Sequence, residues 1–319
     1  MIRKVRVEAP ASTANLGPGF DVFGLALDLA YDCVEVEVVD DKSREIVDFK
    51  VDGEYADQVP RDSKNVVYRL ALKILEIFNR DLSIKIRLVK NVKPRSGLGS
   101  SGASSAAITL AMLTILNVNI DPVKAVEIAS IGEEFVTGSR HADNVAPSML
   151  GGFIVIRRYD PLDLIRIEPP KNLGIVVTIP EVEVPEDKTR YARSVLPQSV
   201  SLREVIHNVG HASFIALGFA LGNIGLIARG MNDIIVEPRR MSLIPGGDIA
   251  RRRALEAGAL ATAISGAGPS LIAIFNLDEG IEKGHEIGKA MIEGFREAGV
   301  DAKYIVTRPS TGPKTVIES

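Results

Sequence analysis

The chain has 319 residues, 46% hydrophobic and 25% charged, which is ordinary globular composition and enough for two packed domains. A formal net charge of −3 gives no basic excess for coating a phosphate backbone, so nucleic acid is not expected as a partner. Cys33 is the only cysteine, which excludes disulfides within the chain and cysteine-built zinc sites. No segment approaches the roughly 20 apolar residues of a membrane span, so a cytoplasmic protein with no membrane partner is expected.

"KVRVEA" near the start alternates apolar and polar residues and predicts a strand. "CVEVEVV" does the same, with Val34, Val36 and Val38 on one face and Glu35 and Glu37 on the other. Between them, "PASTANLGPGFDVFGLALDL" reads as a polar, turn-rich stretch running into apolar residues. A helix is predicted near Asn65 to Phe78, then an alternating strand, "SIKIRLV", then a loop and a small-residue helix from Ser104 to Leu116. Asp121-Pro122 supplies an N-cap with proline at the first helical position, opening a helix that runs to about Gly138. "GGFIVIRRY" is another strand, and the proline- and charge-rich stretch after it marks a boundary, dividing the chain into domains 1–160 and 161–319. Beyond it come the strand "LGIVVTI", a long helical stretch from Leu202 to about Met231 and the helix "DIARRRALEAGA". Two short strands around "ATAISGAGPSLIAIF", a helix from Glu279 to Ala298 and a last strand from Ala302 to Thr307 complete the chain. Strands joined by short turns and mixed with helices predict an α+β architecture, not regular βαβ repetition.

The least ordinary stretch is "PRSGLGSSGASSAA", where Gly97, Gly99 and Gly102 spell G-x-G-x-x-G. A dinucleotide site needs a second parallel strand ending in an acidic residue about 20 residues further on. Here "NVNIDP" and another helix follow, so that reading fails, and no G-x-x-x-x-G-K-[ST] loop is present. The physics still favours an anion, because small residues let backbone N–H groups converge at a helix start. Ser100, Ser101, Ser104 and Ser105 add hydroxyls able to donate to phosphate or coordinate a cation. A tightly packed helix start is the alternative use of the same residues.

The loop resembles the phosphate-binding motif of the GHMP kinases, which act on small molecules. "APASTANLGPGFDVFGLAL" and "RHADNVAPSMLGGF" resemble segments of the homoserine-phosphorylating members, and "ISGAGPSLIAIF" resembles the third, glycine-rich motif of the family. Gly102 departs from it, since most members carry alanine there. The resemblance implies a two-domain α+β GHMP kinase fold, with an ATP-binding N-terminal domain like ribosomal protein S5 domain 2 and a ferredoxin-like C-terminal domain. It also implies transfer of the γ-phosphate of ATP to the hydroxyl of L-homoserine for threonine biosynthesis, with Mg²⁺ as cofactor, in a protein that pairs as a homodimer. A mevalonate- or shikimate-type kinase of the same family and a non-catalytic ligand sensor are the alternatives.

By the same resemblance, ATP would lie against Asn65 and against Pro94, Arg95, Ser96, Gly97, Leu98, Gly99, Ser100, Ser101, Gly102, Ala103 and Ser104, while Ser101 and a glutamate on the next helix would hold Mg²⁺. Helical geometry favours Glu133 over Glu134. Glu133 shares a face with Val126, Ala129 and Ser130, and an inward carboxylate needs a partner such as a hard cation. Asn15 and Asp21 would hold the substrate's amino end. Arg193 and Arg240, with Arg190 and Arg239 as rivals, match the places for its carboxylate, which a guanidinium grips as a fork. Gly266 would close over the phosphates or the substrate. His141 and Asn144 would lie near the reacting hydroxyl, with Asn144 orienting it and Asp143 the candidate base. Asn65 serves equally well as an N-cap, and His207 and His211, at i and i+4, have zinc-like spacing but no evident third ligand.

Overall fold

The structure is a computed structural model and describes residues 3–40, 43–184 and 188–318. β1 (Lys4–Asn15) and β2 (Gly19–Asp40) pair antiparallel from Lys4↔Glu37 to Asn15↔Gly19. The stretch expected to be a polar loop is therefore mostly strand, reversed in a tight turn where Asn15, Leu16 and Gly17 all take positive φ. β3 (Glu45–Asp52) runs parallel to β4 (Ser83–Val89), and α1 (Val66–Ile77) connects them.

α2 (Ser100–Ile115) begins at Ser100, not at the expected Ser104, because the left-handed Gly99 (φ 64°) turns the chain directly into its first helical turn. α3 (Pro122–Thr137) lies between its expected ends, with Asp121 capping the N-terminus and Gly138 left-handed after the last turn. α4 (Val145–Leu150) leads into β5 (Phe153–Tyr159) and β6 (Leu162–Ile167), which pair as a hairpin. The division expected at 160/161 thus cuts a hairpin of the first sheet: Leu162, Leu164 and Ile167 are too apolar for a linker and pack on its core.

The second half contains β7 (Leu173–Pro180), α5 (Lys188–Ser194), α6 (Leu202–Ala220), α7 (Ile224–Gly230), α8 (Glu237–Met241) and α9 (Gly247–Glu256). β8 (Ala261–Ile264), β9 (Leu271–Asn276), α10 (Ile281–Glu297), β10 (Ala302–Thr307) and β11 (Lys314–Glu318) follow. The long helix expected from Leu202 to Met231 breaks at the left-handed Gly222, after which Asn223 caps α7.

The larger sheet has the order β11-β1-β2-β4-β3, with β5 on β2 and β6 on β5, so the chain's end returns to its beginning. The smaller sheet is antiparallel in the order β10-β7-β9-β8, the pairing of a ferredoxin-like β-α-β-β-α-β unit. One core lies between the larger sheet and α1 to α4, and another between the smaller sheet and α9 and α10. A third joins the two halves: Leu25 and Phe153 meet Ile175, Ile274 and Phe219, with the rings of Phe153 and Phe219 stacked 3.8 Å apart. Burying each such side chain stabilises by about 1.5–3 kcal/mol, so this apolar seam fixes the halves against each other. The polar ends of β1, α2, α3 and β8 surround a cleft beside it.

Candidate active site

The loop from Pro94 to Gly99 joins β4 to α2 through left-handed conformations at Arg95, Gly97 and Gly99. Glycine is required twice. A Cβ on Gly97 would sit 2.3 Å from the Ser265 carbonyl oxygen, and one on Gly99 would sit 2.0 Å from Ser12 Oγ. The loop is thereby pressed between β1 and the third glycine loop, leaving the unpaired N–H groups of α2's first turn at the cleft. Gly102 also has a packing role: a Cβ there would approach the Asn144–Val145 backbone to 3.1 Å, so its absence lets α2 close on the start of α4.

Pro94, Arg95, Gly97, Gly99, Ser100, Ser101 and Ser104 line the cleft, whereas Ser96, Leu98, Gly102 and Ala103 lie behind its wall. Three hydroxyls of the motif face the protein. Ser96 Oγ donates to the Lys93 carbonyl (2.7 Å), Ser100 Oγ to the Val92 carbonyl (2.8 Å) and Ser104 Oγ to Asp32 Oδ2 (2.6 Å). The expectation that Ser100 and Ser104 present hydroxyls to phosphate is corrected on that ground.

Beneath the loop lies a buried ion pair that sequence reasoning missed. Lys90 Nζ bonds Asp32, Ser104 Oγ (2.9 Å) and the Ser100 carbonyl (2.8 Å), and Asp32 also accepts from the backbone N–H groups of Asn91 and Val92. Burial pushes the Lys90 pKa down and Asp32 opposes it. Lys90 continues the inward phase of Ile84, Ile86 and Leu88 one step past the end of β4, so the strand's own alternation turns it inward, although a lysine there ordinarily reads as solvated. Lys90→Met leaves Asp32 buried without its cation and is expected to cost about 3–5 kcal/mol, read from the denaturant midpoint. A loss below about 1 kcal/mol would show that the pair does not hold the loop.

On α3, Val126, Ala129, Ser130 and Glu133 are buried together, and Glu134 pairs at the surface with Arg140 Nε (2.7 Å). Glu133 Oε1 is buried and finds no hydrogen-bond partner among the described residues. Burial pushes its pKa up, opposed by the Ser101 hydroxyl and the charge of Lys90. A bare carboxylate oxygen beside a serine hydroxyl fits a hard, oxygen-seeking cation.

At the other end of the cleft, Asn15 Nδ2 donates to the Gly266 carbonyl (2.8 Å) and its Oδ1 accepts from the Asp21 N–H (3.1 Å). The Asp21 carboxylate pairs with Arg193 Nη2 at 2.7 and 2.9 Å, and the Tyr159 hydroxyl donates to the Asp21 carbonyl (2.6 Å). Arg193 Nε is buried without a partner among the described residues. His141 lies 3.4 Å from Arg193 Nη2, and burial together with that guanidinium pushes its pKa down, opposed by Asp21. Arg240 is 3% exposed and donates to the carbonyls of Gly266 (3.0 Å) and Ala192 (3.2 Å). Among the described residues it has no carboxylate partner. Burial first, then Arg193, pushes its pKa down to about 10. Asp21, Asp143 and Asp233 oppose the shift only from beyond ion-pair distance, so the buried cation can still take an anion. Its rival Arg239 is bound to the Ile235 carbonyl and lies 3.6 Å from Glu204, away from the cleft, whereas Arg190 lines it.

Asn144 Oδ1 accepts from Ser12 Oγ (3.1 Å), which fixes the amide beside Gly99. Asp143 is buried, and desolvation, then the charges of Asp21 and Glu133, push its pKa up to about 7. Between about pH 4 and 7 the folded chain therefore holds a proton that the unfolded chain releases, and the stability this contributes is lost as pH rises through 7. Asp143→Asn is expected to melt several degrees above the parent at pH 8, the gap closing toward pH 4. A gap independent of pH would contradict the burial of an ionisable carboxyl here.

These residues share one cavity of about 610 Å³, of the size that holds a small-molecule ligand. It runs from Pro60, Lys64 and Asn65, past the glycine loop, to Asp143, Arg193, Arg240 and Gly266. Asn65 both lines it and caps α1, accepting from Val67 N (2.9 Å). Gln58, Pro60 and Lys64 were not foreseen, since their segment carries no recognisable motif. His207 and His211 stack 3.9 Å apart on α6, remote from this cavity, and no group of three possible metal ligands occurs among the described residues.

Residues 65–152 match the family described as GHMP kinases N terminal domain, and residues 215–293 match GHMP kinases C terminal. A homoserine kinase of Pyrococcus abyssi is 41% identical, the match covering 98% of this chain and 99% of that protein, and one of Pyrococcus furiosus is 39% identical over 97% and 99%. A crystal structure of a homoserine kinase from Cytophaga hutchinsonii is 36% identical and superposes with a TM-score of 0.90, covering 99% of this chain and 98% of that one. The likeness thus runs through both sheets and every wall of the cleft, and the chain belongs to the GHMP kinase family, in its two-domain fold.

Proposed function

We propose that the protein transfers the γ-phosphate of ATP to the side-chain hydroxyl of L-homoserine, giving O-phospho-L-homoserine on the way to threonine. One observation carries this reading: a single cavity has amide donors and an orphaned carboxylate oxygen at one end, and at the other a buried guanidinium with no carboxylate at ion-pair distance, near Asp21. The first end suits a triphosphate with its cation and the second suits an amino acid, whose charges fall to Asp21 and to Arg240 with Arg193. The relatives named as homoserine kinases support it.

Ser101 and Glu133 would hold Mg²⁺, which when bound neutralises phosphate charge. The N–H groups from Gly99 onward receive the phosphates, and the loop's rigidity keeps them in line with the acceptor. Asn144 orients the hydroxyl. As the bond from the γ-phosphorus to the β-phosphate oxygen breaks, leaving ADP, and the new O–P bond forms, the hydroxyl proton passes to Asp143 in its ionised form, in a late transfer that a loose transition state allows. We place the enzyme in the cytoplasm as a homodimer. In support, no described helix is long and apolar enough to cross a membrane, and α6 exposes Leu202, Ile206, Val209 and Leu217 along one side. Sedimentation would show the pairing.

Incubation with ATP and Mg²⁺ and, in parallel, L-homoserine, mevalonate or shikimate tests the reading. ADP should form only with L-homoserine. Turnover of a non-amino-acid alcohol alone would reject the assignment, and no turnover of any would favour a sensor.

A further inference from the structure

The third glycine loop, 265–270, is bonded to the end of β1, to the phosphate-binding turn and to Arg240. Gly266 N–H donates to the Ala14 carbonyl (3.1 Å), Ser265 Oγ donates to the Gly97 carbonyl (2.7 Å), and Ser270 N–H donates to the Ser96 carbonyl (3.1 Å). The loop therefore leans directly on the phosphate-binding turn. It is gripped from behind by α8. Arg240 takes the Gly266 carbonyl, and one turn earlier on the same helix Glu237 Oε1 accepts the Ile264 N–H at 2.5 Å.

That contact repairs a local deficit. β8 is an edge strand, paired only with β9, and its last residue, Ile264, gives its N–H to the Glu237 carboxylate, which stands where a neighbouring strand would. Glu237 is itself 4% exposed. Arg251 of α9 lies 3.2 Å from Oε2 and also donates to Thr262 Oγ1 of β8 (3.0 Å). Asp233 fixes the base of α8 by accepting the N–H groups of Ile235, Val236 and Glu237. An anion and a cation on one short helix thus hold the N–H of the last residue of β8 and, two residues on, a C=O of the loop that follows it.

We propose that Glu237 is a positioning residue that couples the two ends of the cleft: it fixes α8 to the glycine loop, so that an anion engaging Arg240 settles the loop against Gly97 and tightens nucleotide binding. This rests on the reading that an amino acid and ATP share the cavity. Glu237 itself does not line the cavity, so its effect must travel through Ile264 and Gly266.

The test is the affinity for a non-hydrolysable ATP analogue with Mg²⁺, measured by calorimetry with and without saturating L-homoserine, in the parent, Glu237→Asp and Glu237→Gln. Aspartate keeps the charge for Arg251 but withdraws the acceptor from Ile264, whereas glutamine keeps an acceptor oxygen in place. In the parent, L-homoserine should tighten analogue binding about 10-fold. Glu237→Asp should abolish most of that gain while its affinity for the analogue alone stays within about twofold, and Glu237→Gln should retain most of it. Equal behaviour of the two variants, a coupling unchanged in Glu237→Asp, or no coupling in the parent although both ligands bind, would overturn the proposal. Failure of L-homoserine to bind the parent would instead reject the substrate assignment.

Discussion

Glu133→Gln should lower kcat by about 10²–10³-fold, while Glu134→Gln should leave it within about twofold. The two carboxylates are adjacent in sequence, yet their surroundings separate them completely. Glu134 is paired with Arg140 at the surface, where an ion pair contributes little to anything else. Glu133 lies inside the cleft wall with an oxygen that no described donor satisfies, between the Ser101 hydroxyl and Lys90. Glutamine preserves its shape, removes the negative charge and turns one acceptor oxygen into a donor, so the loss reports the carboxylate's part in holding a cation against the phosphates. Titrating Mg²⁺ in steady-state assays should show a raised requirement for the metal in the first variant alone. Equal, modest effects in both would remove Glu133 from the metal site.

Arg240→Ala should raise KM for L-homoserine at least about 100-fold, with kcat falling less. Two of the guanidinium's donors hold the Gly266 and Ala192 carbonyls, the side chain lines the cavity, and the Phe20 ring centroid lies 5.0 Å from the guanidinium carbon. Burying the cation carries a cost that Asp21, Asp143 and Asp233 oppose only from beyond ion-pair distance, and a bound carboxylate would recover it. Arg240→Lys should recover little, because a single ammonium cannot hold two carbonyls and fork onto a carboxylate at once. An unchanged KM in the alanine variant would take Arg240 out of the acceptor site.

Legibility in the sequence followed the range of the interactions. α3 was readable to both ends because its signals, Asp121, Pro122 and Gly138, are local. The inward face of Glu133 followed from helical period alone. The first motif misled because Asn15, Leu16 and Gly17 look like a loop, although the residues on either side extend as strands paired across a very short turn. β6 and β11 were invisible for another reason: each is defined by a partner distant in sequence or by a hairpin interrupted by Asp160-Pro161. Ser100 and Ser104 show the limit of motif reading, since residue type announces a hydroxyl but only the fold decides that it faces Val92 or Asp32. Likewise, Lys90 keeps the inward phase of Ile84, Ile86 and Leu88, but nothing local announces Asp32 as its partner, and nothing in "EPRR" announces that Glu237 caps an edge strand.

The most direct measurement is a crystal structure with a non-hydrolysable ATP analogue, Mg²⁺ and L-homoserine bound together. The triphosphate should lie on the N–H groups at the start of α2, with the cation on Ser101 and Glu133 and the acceptor hydroxyl, beside Asn144, in line with the outermost phosphorus. A nucleotide bound elsewhere, or an amino acid whose carboxylate avoids Arg240, would contradict the assignment.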